Sequence, residues 1–289
     1  MIYVKQEIGN LTYSNIVSTV PDYVPTTNYL LGDLVRVGSY HYKSLYGTVA
    51  LPNVGKDPLS NLGTAWFEYE VSNTYACLDT YIETKTTWTG DGIVEFTRNT
   101  KDKIGIGNFN ATKLTIEYRD DLGNVIGTPT VYNFLNKNRG RNSPWTYYST
   151  KFQQDTSNTI YVPILRKGTK IRIIFERDGL SNYCGFIVSG KAEDMGKTLE
   201  NVSFPDKRIG NRTVSVADFQ TAVEKRLLMK KIEDAKKLIN TSMMFAIDES
   251  ENSYHQNMII LGKITKCDGA ANNFDKNIIS WQIEQNIIT

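Results

Sequence analysis

The sequence predicts a mainly β protein of three unequal parts: a small β module, a β-sandwich of jelly-roll type, and a small α+β C-terminal domain. Three observations lead to that class. Positions 73–190 hold short apolar runs between turn residues, with no sustained helical period. A single helical pattern stands later in the chain, over 224–239. Tyr, Asn and Thr are abundant while Pro and Cys are few, a composition that suits strands joined by polar loops. At 289 residues the chain is long enough for two or three compact domains of roughly 100–150 residues each.

Residues 1–25 read as an N-terminal β arm ending at Pro21 and Pro25. Residues 26–72 form the small module, an antiparallel sheet around a few aromatic rings whose core is thin enough to lean on its neighbours. Within it Asp33 reads as a turn residue accepting backbone N–H bonds. Residues 73–205 are the sandwich, with strands expected at 75–82, 93–97, 113–118, 130–134, 146–152, 159–163, 170–175 and 184–189. Lys113-Leu114-Thr115-Ile116-Glu117-Tyr118 alternates polar and apolar as a half-buried strand does. Asp121-Leu122-Gly123-Asn124 and Arg177-Asp178-Gly179 are turn material. Gly105-Ile106-Gly107 also reads as a β-turn, since no helix pattern follows to make it a phosphate loop.

Residues 206–289 form the α+β domain. A strand is expected at 212–216, then a helix over 224–239 with Leu228, Ile232, Ala235 and Ile239 on one face and Lys230, Lys231, Glu233, Asp234, Lys236 and Lys237 on the others. Asn240 marks its stop, and three apolar runs at 243–247, 258–264 and 278–283 read as strands. Asp268-Gly269 with Asp275 reads as a hairpin loop, because the ligand order of a calcium-binding EF-hand is absent.

The charge balance, 33 Lys and Arg against 31 Asp and Glu, gives no reason to expect a nucleic-acid partner. The opening MIYVKQEIG lacks the basic and apolar regions of a signal peptide, and no run approaches the roughly 18 apolar residues of a membrane helix, so no membrane partner is expected. Cys77, Cys184 and Cys267 are far apart and odd in number, which reads as three buried thiols rather than a zinc site. His41 and His255 are isolated, and no G-x-S-x-G elbow is present. Asp248, Glu249 and Glu251 read as a polar loop between strands rather than as the paired carboxylates of a glycosidase. No catalytic residue, metal or cofactor is therefore expected.

Two clusters carry binding chemistry. Tyr29, Tyr40, Tyr42, Tyr46 and Trp66 supply flat rings that match the apolar face of a sugar, against the competing reading that Tyr42 and Trp66 are the module's core. Arg139, Arg141, Trp145, Tyr147 and Tyr148, with Lys137, lie in a long loop over 136–148 and carry the residue types enriched at protein interfaces.

The order Tyr29, Gly32-Asp33, Val35, then Tyr40, Tyr42 and Ser44, then Pro58 and Trp66, resembles the small chitin-binding type of carbohydrate-binding module. In that family exposed aromatics do the binding; here the segment 47–56 holds no Trp. The stretch also resembles the version near the front of many tailed-bacteriophage tail proteins, where an N-x-x-A-x-x-D segment follows, here Asn73, Ala76 and Asp79. Further along, Cys184-Gly185-Phe186-Ile187-Val188-Ser189-Gly190 with Met195-Gly196-Lys197-Thr198-Leu199, and then Ile259-Ile260-Leu261-Gly262-Lys263-Ile264, keep the order of that group. The resemblance implies a virion structural protein of the tail or neck, made in the host bacterial cytoplasm. It would work by assembly with copies of itself and other tail or neck proteins, and by attachment to host surface glycans, not by catalysis. Two alternatives stand beside it: a free-standing carbohydrate-binding protein, and a glycan-degrading enzyme.

Overall fold

The computed structural model describes residues 2–5, 10–48, 53–79, 84–98, 103–134, 158–163, 168–177, 181–199, 206–209, 212–224, 227–239, 242–246, 259–270 and 276–285. Among them the chain is mainly β, in several antiparallel sheets with one α-helix.

The smallest sheet holds β3 (Leu34–Val37), β4 (Tyr40–Ser44) and β5 (Trp66–Val71) in that order. A two-residue turn joins β3 to β4, and its first residue, Gly38, takes φ 62°, the positive value such hairpins need. Asp33 acts as its position suggests: its carboxylate accepts the Leu30 N–H at 2.7 Å. Val35, Tyr42 and Trp66 share the inward face and pack with Tyr29 and Ala65, against which Tyr23 and Val37 close. A bridge between Asp22 and Arg36, with their side chains paired at 2.7 Å, lays the incoming chain along β3.

Nine strands build the next part. One sheet runs β10-β9-β12-β7-β2, with β2 (Leu11–Ser14), β7 (Gly92–Thr97), β9 (Lys113–Arg119), β10 (Thr130–Asn133) and β12 (Lys170–Glu176). The other runs β11-β8-β13-β6, with β6 (Thr86–Thr89), β8 (Lys103–Phe109), β11 (Asn158–Pro163) and β13 (Ser181–Gly190). Both sheets feed one core: Val94, Phe96, Leu114, Ile116, Ile171, Ile173 and Phe175 come from the first, and Ile104, Ile106, Phe109, Cys184 and Ile187 from the second. In β12 the alternation is strict, with Ile171, Ile173 and Phe175 buried and the residues between them half-buried. Arg172, one of those, reaches the buried Glu95 at 2.7 Å, and the Thr12 hydroxyl of β2 donates to the same carboxylate at 2.9 Å.

Two expectations are corrected here. Residues 76–78 form a 3₁₀ turn, not part of a strand, and it plugs Cys77 and Leu78 into the shared core. Gly105-Ile106-Gly107 is not a turn but the middle of β8. Its glycines stand opposite Val188 and Phe186 of β13, and a Cβ on Gly107 would run into the Phe186 ring. Glycine is needed there for space, not for a bend. The expected strand at 146–152 lies outside the described residues.

The third sheet has the order β14-β1-β18-β19-β20-β17-β15. Its strands are β1 (Ile2–Lys5), β14 (Ala192–Asp194), β15 (Lys197–Thr198), β17 (Arg212–Glu224), β18 (Ser242–Ala246), β19 (Ile259–Ala270) and β20 (Lys276–Gln285), and β16 (Asp206–Ile209) pairs with β17 off this path. The helix α1 (Leu228–Lys237) sets Leu228 and Ala235 into a core with Phe219, Phe245, Ile279, Trp281 and Ile283. The expected helix is too long at its start, because Glu224 ends a thirteen-residue strand, and Ile239 lies beyond its end and is exposed. Asp268-Gly269 is not a hairpin loop but part of β19. A Cβ on Gly269 would strike Ile232 of α1, so this glycine lets the helix approach the sheet.

The first residues do not stay together as an arm. β1 joins the third sheet and β2 joins the edge of the five-stranded one.

Gly107→Ala should lower stability by about 1–3 kcal/mol, because Phe186 is itself buried and has nowhere to retreat. A denaturant midpoint equal to that of the parent protein would remove this account of β8.

Candidate functional site

In the small sheet, Trp66 opens β5 with its ring inward and fully buried. Its ring meets Tyr29 at 5.3 Å and Tyr23 at 5.9 Å, both edge to face, and its Nε1–H donates to the Lys56 carbonyl at 2.6 Å. That bond ties the long loop after β4 to the core. Tyr29 is 7% exposed and Tyr42 3%. Burial, then the nearby Glu68 charge, pushes the Tyr42 hydroxyl above its ordinary range. Tyr29, Tyr42 and Trp66 therefore have no open ring face for a sugar, which corrects their assignment to a stacking platform. Of the five rings read as a sugar surface, Tyr40, 38% exposed, and Tyr46, 37% exposed, present themselves to solvent.

The strand period that buries Trp66 sends its neighbours outward. Phe67 is 55% exposed and Tyr69 49%. Lys43 of β4 stands opposite Phe67 in register, and its Nζ lies 5.6 Å from the centre of the Tyr69 ring. Glu68 and Glu70 are exposed beside them. Among the described strands β5 pairs only with β4, apart from a bridge from Trp66 to Leu62, so this row of rings, cation and carboxylates lies along a strand edge. Rings that meet C–H faces, flanked by groups that bond hydroxyls, are the chemistry of a sugar surface. Sequence reasoning missed Phe67 and Tyr69, although the signal was present: once Trp66 is inward, period two puts Phe67 outward.

His41 is buried between two partners. Its Nε2 lies 2.9 Å from the Ser18 hydroxyl and its Nδ1 3.3 Å from the Glu70 carboxylate. The chain of Ser, His and carboxylate has the outline of a nucleophile relay. The Ser18 oxygen, however, also accepts the Val20 N–H at 3.2 Å, and Glu70 is largely exposed. The contact reads as a clamp holding the segment after β2 against β4 and β5.

On the third sheet, the face away from α1 is polar. Asp218 and Gln220 of β17, Ser280 and Gln282 of β20, and Lys266 and Asp268 of β19 line a shallow trough. They bond each other: Gln282 of β20 donates to Asp218 of β17 at 3.1 Å, and Lys266 pairs with Asp268 along β19 at 3.0 Å. Such mutual pairing suits a solvated sheet face.

The three cysteines are buried. Burial pushes the Cys184 thiol well above its usual range, and the neighbouring Cys77 adds to the shift. Burial, then the Asp268 charge, pushes Cys267 up to about 11. Among the described residues no group of three or more His, Cys, Asp or Glu could hold a metal ion. None of their helices is long and apolar enough to cross a membrane. Arg139, Arg141, Trp145, Tyr147 and Tyr148, and likewise Asp248, Glu249, Glu251, His255 and Asp275, lie outside the described residues.

Compared with protein families and with curated proteins, the chain matches no family model and no curated relative.

Two predictions follow from these placements. Trp66→Ala should cost about 3–5 kcal/mol and unfold the small sheet, whereas Phe67→Ala and Tyr69→Ala should stay within about 0.5 kcal/mol of the parent; near-ultraviolet circular dichroism during thermal unfolding separates the two classes. For Cys267, the thiol stays protonated until about pH 11, so its alkylation rate should climb about tenfold per pH unit through pH 10. Its raised value also means that the unfolded chain ionises first, so stability should decline as pH rises from about 9 to about 11. A Cys267 that alkylates at its full rate at neutral pH would contradict both.

Proposed function

We propose that this chain is a structural component of a tailed-bacteriophage virion, in the tail or neck, which assembles with copies of itself and with other tail or neck proteins. The observation that carries the reading is the wiring of the two sheets that share a core. Strands β6 to β13 fall in the orders β6-β13-β8-β11 and β7-β12-β9-β10. Counted along the chain, that is first-eighth-third-sixth against second-seventh-fourth-fifth, the wiring of a jelly roll. Viral capsid and lectin domains carry this architecture. A fold alone does not assign a function; the ordered phage-like motifs from Tyr29 to Ile264 supply the rest of the support.

Attachment to a host surface glycan belongs to the small sheet, as a chitin-binding-like module whose sugar surface is Phe67 and Tyr69 with Lys43. The two core rings, Tyr42 and Trp66, hold that surface in shape. The protein acts by binding and assembly, with no catalytic step, no cofactor and no nucleic-acid or membrane partner, and its place is the virion after synthesis in the host cytoplasm.

Light scattering of the purified chain should give a multiple of the protomer mass, and an antibody against it should label the tail or neck of particles in electron micrographs. Phe67→Ala with Tyr69→Ala should weaken binding to insoluble chitin or to host cell-wall glycan about tenfold, equivalent to about 1.4 kcal/mol. A strict monomer that binds glycan tightly would favour the free-standing carbohydrate-binding protein. Glycan turnover lost on replacing a single Asp or Glu would favour the enzyme.

A further inference from the structure

The seat of β1 is unlike that of the other strands. Ile2, Tyr3 and Val4 pair with Asp194, Glu193 and Ala192 of β14, while Ile2 to Lys5 pair with Ala246, Phe245, Met244 and Met243 of β18. β1 thus lies inside the sheet, not at its edge. Without it, β14 and β18 would face each other across a gap one strand wide, each with a row of unpaired backbone groups.

No hairpin places β1 in this slot. Its two neighbours follow it by most of the chain, and the next strand, β2, belongs to another sheet. Thr12 and Tyr13 anchor β2 there, through the Thr12 bond to Glu95 and the Arg172 guanidinium 5.1 Å from the Tyr13 ring centre. No turn therefore sets the register of β1, and an identical strand from another copy satisfies both of its ladders equally well. The backbone bonds gained and lost in such an exchange are the same, which makes swapping an inexpensive route to linked subunits.

The geometry points to β1 as a donor strand: in the assembled protein it fills the slot between β14 and β18 of a neighbouring copy, and each copy receives a strand in turn. This rests on the assembly reading above. A strand entering a slot is a heterologous contact, and repeated around an axis it closes a ring.

The test uses Val4→Cys and Ala192→Cys, which stand opposite each other in the ladder. Protein carrying only Val4→Cys is unfolded together with protein carrying only Ala192→Cys, refolded, and treated with a short bismaleimide. Strand exchange predicts a covalent species of twice the protomer mass on a denaturing gel, absent when either variant is treated alone. The protein carrying both substitutions should likewise give covalent multimers. Cross-links confined to single chains in that double variant, or no cross-link at all, would overturn the proposal. Light scattering on the same samples separates the two failures: an oligomer with only internal cross-links counts against strand exchange alone, and a monomer counts against the assembly reading as well.

Discussion

Strand β13 is the constraint on which the rest of the structure depends. Its ten residues pair with β6 along one stretch and with β8 along the other. Cys184 and Ile187 face the core shared by the two sheets, while Phe186 and Val188 are buried on the opposite side. This double burial is open only to a strand whose neighbour yields space, and β8 yields it at Gly107, where a Cβ would meet the Phe186 ring. The strand then passes almost directly into β14, the edge against which β1 is laid. One extended segment thus joins the core shared by the two sheets to the third sheet, with side chains buried on both faces. Close-packed interiors transmit such positional demands over a distance, because no ring can shift without displacing another.

The N-terminal chain works in the other direction. Between Ile2 and Asp22 it contributes a strand to the third sheet, a strand to the five-stranded sheet and a bridge to the small sheet. The second and third of these contacts are anchored by polar groups: Thr12 on Glu95, then Ser18 on His41 and Asp22 on Arg36. Buried or half-buried hydrogen bonds of this kind contribute modestly when made and cost more when broken. They favour one path of the chain over others that hydrophobic burial alone would not distinguish. The small sheet, whose core is a handful of rings, gains from this path a second set of fixed neighbours.

The aromatic residues of that sheet illustrate how one strand divides structure from surface. Trp66 and Phe67 are adjacent in sequence and equal in apolar character, yet one is fully buried and the other more than half exposed. The pleat alone makes the difference. Interior rings set the spacing of the strands, and the outward rings inherit a fixed position from them.

Local periodicity and composition were enough to read the mainly β class, strands such as those expected at 113–118 and 170–175, the single helix around Ile232 and the turn role of Asp33. These features depend on neighbours a few residues away, so they are written in the sequence itself. Glycine is where that legibility ended. Gly107 and Gly269 carry the same local signal as a turn glycine, and only the Phe186 ring and the Ile232 side chain across from them make them strand residues. The length of β17 and the 3₁₀ turn at Ala76–Leu78 were likewise settled by partners distant in sequence. Tertiary structure decided these points because a strand's limits and its buried face are set by what lies across from it, and a single chain of letters does not state its opposite neighbour.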